Sequence, residues 1–242
     1  VTLTAEEANG FYFGGWGGDC ASFALATTCE LTLNTNKQVS ASFIERLQGA
    51  ATAVAAGGRH SCAVADGGVR CWGNNNNGQL GNGSTTASLI PLQSVLPGSG
   101  ATAVAARPYH SCAVVDGGAK CWGSGGSGQL GNGTYESSST PVRAIPANSG
   151  VTAIATGYYF DWNWYDQSHS CAVVAGGVQC WGAGNYGQLG IGTTNSSSTP
   201  VQTISASKGV ATAVAAGGAH SCAVVDGGVK CWGAGGSGQL GN

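Results

Sequence analysis

The sequence predicts an all-β fold: blades of a β-propeller, about three and a half repeats in a partial propeller or open array, preceded by a small β-rich module. Three observations carry that prediction. A segment opening on HSCAV recurs, headed by His60, His110, His169 and His220 at spacings of 50, 59 and 51 residues, and a fixed period near this length marks repeat architectures. Within each period four short apolar runs are separated by Gly- and Asn-rich turns, and none has the 3.6-residue spacing of a helix. The chain holds 43 glycines in 242 residues, a supply of turn residues that suits many short strands.

Each repeat reads the same way, element by element. The first run, ATAVAA in the first, second and fourth units and VTAIAT in the third, is almost entirely small residues, which the crowded centre of a propeller requires. The second and third runs, HSCAV and VRCWG in the first unit, flank Asp66-Gly67, and a two-residue Asp-Gly connection is the strongest short-range hairpin signal. A Gly-rich turn follows: NNNNGQLGNG, then GSGGSGQLGNG and GAGNYGQLGIG. The last run is led by Pro91, Pro141 or Pro200; a residue without an N–H is expected at a strand start or sheet edge. The units are 51–100, 101–150, 151–209 and 210–242, the last stopping at GQLGN before its fourth run.

These motifs carry a resemblance. HSCAVVDGGVKCWGAGGSGQLGN, with G-x-x-H-S, W-G and G-Q-L-G in order, resembles the repeat of the regulator of chromosome condensation family, whose members form seven-bladed propellers. The resemblance covers about 51–242 in four copies, the last incomplete, and departs from the family in two ways: fewer repeats, and a cysteine pair in every hairpin. The founding member's nucleotide exchange on a small GTPase belongs in a reducing compartment and uses charged loops, so it does not transfer here. Residues 1–44, with VTLTA, G-W-x-G-x-C, C-x-L-T and K-x-V-x-A-x-F, resemble the divergent internalin-B-type repeat of bacterial surface proteins, a small β-rich spacer; 45–50 reads as a linker.

Counting outward from Asp66-Gly67 sets Val64 against Val69, Ala63 against Arg70 and Cys62 against Cys71, the last at a non-hydrogen-bonded position where Cα atoms approach to about 4.5 Å. The same arithmetic pairs Cys112 with Cys121, Cys171 with Cys180 and Cys222 with Cys231; Cys20 and Cys29 share the nine-residue offset, so all ten cysteines resolve into local pairs. Disulfides on this scale predict an oxidising compartment, extracellular or cell-surface. Zinc held by His60, Cys62 and Cys71 is the competing reading, disfavoured because C-x8-C is not a zinc spacing and nothing completes a tetrahedron. No cofactor or metal is expected.

Charged residues make up 8% of the chain and the net charge is −2. There is no basic stripe for nucleic acid and no apolar run of about 18 residues to insert in a membrane. The absence of any methionine reads as a processed or excised piece of a longer product. The Ser-His pairs recur in every unit, whereas a catalytic site is needed once. His60, His110, His169 and His220 therefore read as structural groups pinning backbone inside the blade, and Trp72, Trp122, Trp181 and Trp232 as packing residues. G-x-S-x-G, H-E-x-x-H, P-loop and Rossmann motifs are absent, and the chain is expected not to be an enzyme.

One segment breaks the repeat. Two residues separate Gly57 from His60, but eleven, YYFDWNWYDQS, separate Gly157 from His169. Tyr158, Tyr159, Phe160, Trp162, Trp164 and Tyr165 on a protruding loop would anchor a protein or glycan partner; alternatively the insert folds down as extra core. The expected function is a non-enzymatic secreted or cell-surface interaction module working through blade loops. The alternative is a self-associating structural subunit of an extracellular fibre or sheath.

Overall fold

The computed structural model describes residues 1–7, 11–23, 26–45, 50–159 and 167–241. The chain divides into two compact units, Val1–Gly49 and Ala50–Asn242. In the first, β1 (Thr2–Thr4) pairs with β3 (Thr28–Glu30), and β2 (Phe11–Gly18) with β4 (Val39–Glu45). Its interior is small: Phe13 meets Trp16 and Phe43 edge-on, the Trp16 indole donates to the Ala26 carbonyl, and a Cys20–Cys29 disulfide with both residues fully buried closes it. A unit this short buries little apolar surface, so a covalent link contributes proportionally more.

The second unit is built of blades. Blade 1 holds β5 (Ala51–Ala56), β6 (His60–Ala65), β7 (Gly68–Gly73) and β8 (Ser88–Val95). Blade 2 holds β9 (Ala101–Arg107), β10 (His110–Val115), β11 (Gly118–Gly123) and β12 (Ser138–Ile145). In blade 3 the strands are β13 (Val151–Gly157), β14 (His169–Val174), β15 (Gly177–Gly182) and β16 (Ser197–Ile204). Blade 4 has β17 (Ala211–Ala216), β18 (His220–Val225) and β19 (Gly228–Gly233). Each is an antiparallel meander in sequence order, with the small-residue strand at one edge. Those strands adjoin from blade to blade, β5 beside β9, β9 beside β13 and β13 beside β17, where alanines let the backbones converge.

Every central hairpin has the register that its turn dictates. Cys62 faces Cys71 across β6 and β7, with equivalent pairs in the other blades, and all four pairs are disulfides with Cα atoms 4.0–4.1 Å apart. Asp66, Asp116 and Asp226 take left-handed φ of 51–52° at the first turn position, the conformation a type I′ turn requires. Ala175 is forced into the same region at φ 46°.

In blades 2 and 3, which have a neighbour on each side, side-chain alternation makes both faces of the β10 and β14 strands buried, whereas β19 of blade 4 leaves Val229 72% exposed. One face of blade 1 sends Cys62, Val64, Val69 and Cys71 against Ala113, Val115 and Trp122 of blade 2. Cys112, Val114, Ala119 and Cys121 meet Ala172 and Trp181 in the next seam, and Cys171, Val173, Val178 and Cys180 meet Ala223, Val225 and Trp232 in the third. The disulfides thus lie inside the seams between blades. They do not join blades covalently, yet their sulfurs are part of the core that does.

The proline-led runs differ from the sequence reading. Pro91, Pro141 and Pro200 stand inside the outer strands β8, β12 and β16 rather than at their starts. The register explains the tolerance: Cys71 faces Leu92 and Gly73 faces Ser88, so Leu89, Ile90 and Pro91 together oppose Trp72 alone. An edge-strand bulge needs no donor at the proline. Among the described residues, no helix is long and apolar enough to cross a membrane.

Candidate binding face

The repeated histidines reach across the seams, which corrects the expectation that they pin backbone within their own blade. His60 Nε2 lies 2.7 Å from Ser111 Oγ of blade 2, His110 Nε2 3.1 Å from Ser170 Oγ of blade 3, and His169 Nε2 2.9 Å from Ser221 Oγ of blade 4. Each serine donates its one proton to a backbone carbonyl, Ser111 to Gln79 at 3.0 Å, Ser170 to Gln129 and Ser221 to Gln188. It must therefore accept from the imidazole, which fixes the Nε2–H tautomer. The Trp122, Trp181 and Trp232 indoles donate to the same three carbonyls at 2.9 Å.

The glutamine of each G-Q-L-G turn is thus a two-bond acceptor for the following blade, a role that sequence reading missed. Its burial explains the motif: Gln79, Gln129 and Gln188, with Leu80, Leu130 and Leu189 beside them, are fully buried. The serine hydroxyls are equally buried and committed, so they do not serve as nucleophiles. Burial pushes the imidazoles toward neutrality: His60 to about 4, and His110 and His169 to about 3, the last two helped by neighbouring histidines and the Arg107 guanidinium.

This network braces one end of the propeller, where two kinds of loop emerge together. The backbone N–H of Asn74 bonds the Arg59 carbonyl, Ser124 bonds Tyr109, Ala183 bonds Ser168 and Ala234 bonds Ala219, which holds each β7–β8 type loop against the β5–β6 type loop of its blade. Arg107 stands where the other copies have glycine, and its guanidinium donates to the Thr156 carbonyl of blade 3 and the Ala216 carbonyl of blade 4 at 2.9 and 3.0 Å. A single side chain ties three blades at this end.

Tyrosines line the face. Tyr109 meets Tyr158 edge-on at 5.2 Å, and Tyr159 meets Tyr186 edge-on at 5.3 Å. Tyr109 and Tyr186 are 36% and 39% exposed, whereas Tyr158 and Tyr159 are half-buried. Two clefts open here. One, about 340 Å³, lies between blades 1 and 2 and is walled by Arg59, Asn74, Asn76, Asn77, Pro108 and Tyr109. The other, about 420 Å³, lies between blades 3 and 4 with Tyr159, Tyr186, Ser237 and Gln239 among its walls.

Of the aromatic insert, Tyr158 and Tyr159 belong to this face; Phe160, Trp162, Trp164 and Tyr165 lie outside the described residues. The base of the insert is closed by a bond from Gln167 N to the Tyr159 carbonyl at 3.1 Å, and Tyr158 N bonds the Gly217 carbonyl of blade 4. Tyr159 therefore packs on Tyr186 and borders the cleft between blades 3 and 4, while Tyr158 packs on Tyr109, which lines the other cleft. Cys62 and Cys71 are bonded to each other, which removes both thiolates from the zinc set considered above. The grouping of Tyr109 with Arg59 and the blade 1 asparagines, and of Tyr186 with the blade 4 loop, had no signal in the sequence, because each cleft forms only across a seam between two blades.

A family profile, the regulator of chromosome condensation (RCC1) repeat, matches residues 66–114, 116–160 and 175–224, and a second profile of the same repeat matches 51–79. No curated protein matches the chain in sequence. Among solved structures, human WBSCR16 superposes with a TM-score of 0.67 at 23% identity over 86% of this chain and 55% of its own. Yeast RCC1 (Prp20), solved bound to Kap60, gives 0.64 at 23% over 81% and 46%. Prp20p from Saccharomyces cerevisiae, described with its binding properties to Gsp1p and histones, gives 0.64 at 22% over 84% and 50%. The chain spans about half the length of these structures. With the repeat matched over most of residues 51–224 and the bladed fold shared, the chain belongs to the family of regulator of chromosome condensation (RCC1) repeat proteins.

Proposed function

We propose that this chain is the binding part of a secreted or cell-surface, non-enzymatic propeller that captures a partner on its loop face. The observation that carries the reading is the pair of clefts, one lined by Tyr109 with Tyr158 packed against it and the other lined by Tyr159 and Tyr186, on a rigid, hydrogen-bonded end of the blades. Tyrosine offers large contact area at low entropic cost, and loops on a stiff scaffold are where binding residues concentrate. The family's fold is a protein-interaction scaffold, consistent with a role in recognition rather than turnover. Five disulfides support an oxidising habitat, and residues 1–44 would act as the internalin-B-type spacer that their motifs resemble.

The test compares the oxidised chain with a Y109A/Y158A/Y159A/Y186A variant, each immobilised over arrays of secreted proteins and of glycans. Loss of bound ligands in a variant that still melts cooperatively supports the reading; with two edge-on ring pairs removed, its melting temperature is expected to be lower. Ligands retained equally by both proteins, or self-association as the sole interaction by size exclusion, would overturn it. Thiol titration in denaturant without reductant is the companion measurement; free sulfhydryls would remove the argument for an extracellular habitat.

A further inference from the structure

We infer that the cleft between blades 1 and 2 is a subsite for a neutral saccharide, repeated in kind at the cleft between blades 3 and 4; this rests on the loop-face reading above. The chemistry of the walls is the first argument. On one side stand the amides of Asn74, Asn76 and Asn77 with the Arg59 guanidinium, and on the other Pro108 and the Tyr109 ring. A pyranose has the same division: a C–H face that packs on an aromatic or proline ring, and a rim of hydroxyls that suits planar groups able to donate and accept side by side. Other ligand classes fit less well. A nucleic acid or anionic polymer needs several cations, and among the lining residues Arg59 is the one charged group.

The second argument is which groups are free. Among the described residues, the side-chain amides of Asn76 and Asn77 and the Arg59 guanidinium have no hydrogen-bond partner, and the Asn74 carboxamide oxygen accepts from Gln79 Nε2 at 2.8 Å while its NH₂ is uncommitted. The loop that carries them is held all the same: Asn77 N donates to Gln79 Oε1 at 2.9 Å, and Gln79 is fully buried. The backbone under these polar heads is fixed, so a ligand that pairs with them orders the side chains but not the loop, which lowers the cost of binding.

The third argument is repetition. The cleft between blades 3 and 4 again sets rings, Tyr159 and Tyr186, against short polar side chains, Ser237 and Gln239, and the two volumes, about 340 and 420 Å³, are in the range of small-ligand sites. Two like subsites on one rigid face suit a polymer of like units, where the second contact is intramolecular and raises avidity.

The test is affinity electrophoresis of the full, oxidised chain in gels containing a soluble neutral polysaccharide (hydroxyethyl cellulose, xylan or mannan), with polygalacturonate and heparin as charged comparisons. Retardation by at least one neutral polymer and by neither charged one is expected, and Tyr109→Ala and N76A/N77A should each weaken it about tenfold or more while the chain still melts cooperatively, with N76A/N77A keeping its melting temperature. Retardation undiminished in both variants would overturn the assignment, as would no retardation by any neutral polymer. If no saccharide binds but secreted-protein ligands are lost in the four-tyrosine variant, the saccharide inference falls and the loop-face reading stands. If that variant also keeps every ligand, both fall.

Discussion

Acidification should destabilise the propeller through its buried histidines. His60, His110 and His169 are 4%, 0% and 0% exposed, each donates through Nε2 to a serine, and each has an Nδ1 with no described partner. A second proton would sit on that atom without an acceptor. Their folded values lie at about 4, 3 and 3 against an ordinary 6.5, so between those limits the unfolded chain binds more protons than the folded one. The neutral-histidine contribution is therefore complete above about pH 6.5 and is lost as the pH falls from there through the folded values, about 4 for His60 and about 3 for His110 and His169.

Each histidine costs about 1.4 kcal/mol per pH unit below 6.5, so the three together remove roughly 4 kcal/mol at about pH 5.5 and roughly 8 at about pH 4.5. Domain stabilities are of order 5–15 kcal/mol, so a loss of this size removes about half or more of a typical domain's stability by about pH 4.5. Carboxylates offer little competing explanation, since Lys37–Asp19 is the one ion pair among the described residues and lies in the other unit. Melting curves from pH 7.5 to 4.5 measure the effect: roughly 2–4 °C per kcal/mol for a unit of this size gives a drop of about 8–16 °C by pH 5.5. His110→Gln, whose amide can still donate to Ser170, should melt lower at neutral pH and lose about a third of the acid dependence. A melting temperature flat across this window, or an undiminished acid slope in H110Q/H169Q, would refute the reasoning.

Two further expectations concern the blades. Ala175 holds φ 46° where its counterparts are aspartates, so Ala175→Asn should stabilise by about 1 kcal/mol, read as a higher melting temperature; no rise would mean that the left-handed turn carries no strain. Trp122→Phe removes one of two donors to the Gln79 carbonyl and shrinks a fully buried side chain, and should cost about 2–4 kcal/mol in denaturant unfolding; no loss would mean that neither the bond nor the seam packing at this position matters.

The hairpins were legible because their physics is local. An Asp-Gly pair selects a type I′ turn, the turn sets the register, and the register brings Cys62 opposite Cys71, all within fourteen residues of sequence. The position of the prolines was misread because a bulge depends on how β7 and β8 slide past each other, which no local pattern specifies. The histidines were read as structural, yet their partners lie about fifty residues away in the next blade. The G-Q-L-G turn carries its message in a backbone carbonyl, to which side-chain motifs are blind.

Period, strand content, turn chemistry and sulfur pairing were thus written into the chain itself, because each follows from contacts between near neighbours and from steric limits on φ and ψ. Which face of a blade meets the next, which carbonyl takes a serine and a tryptophan, and which tyrosines and asparagines share a cleft were decided only when the blades packed side by side. Seams join residues from different repeats, and their alignment is set by the stacking of whole sheets rather than by any one of them.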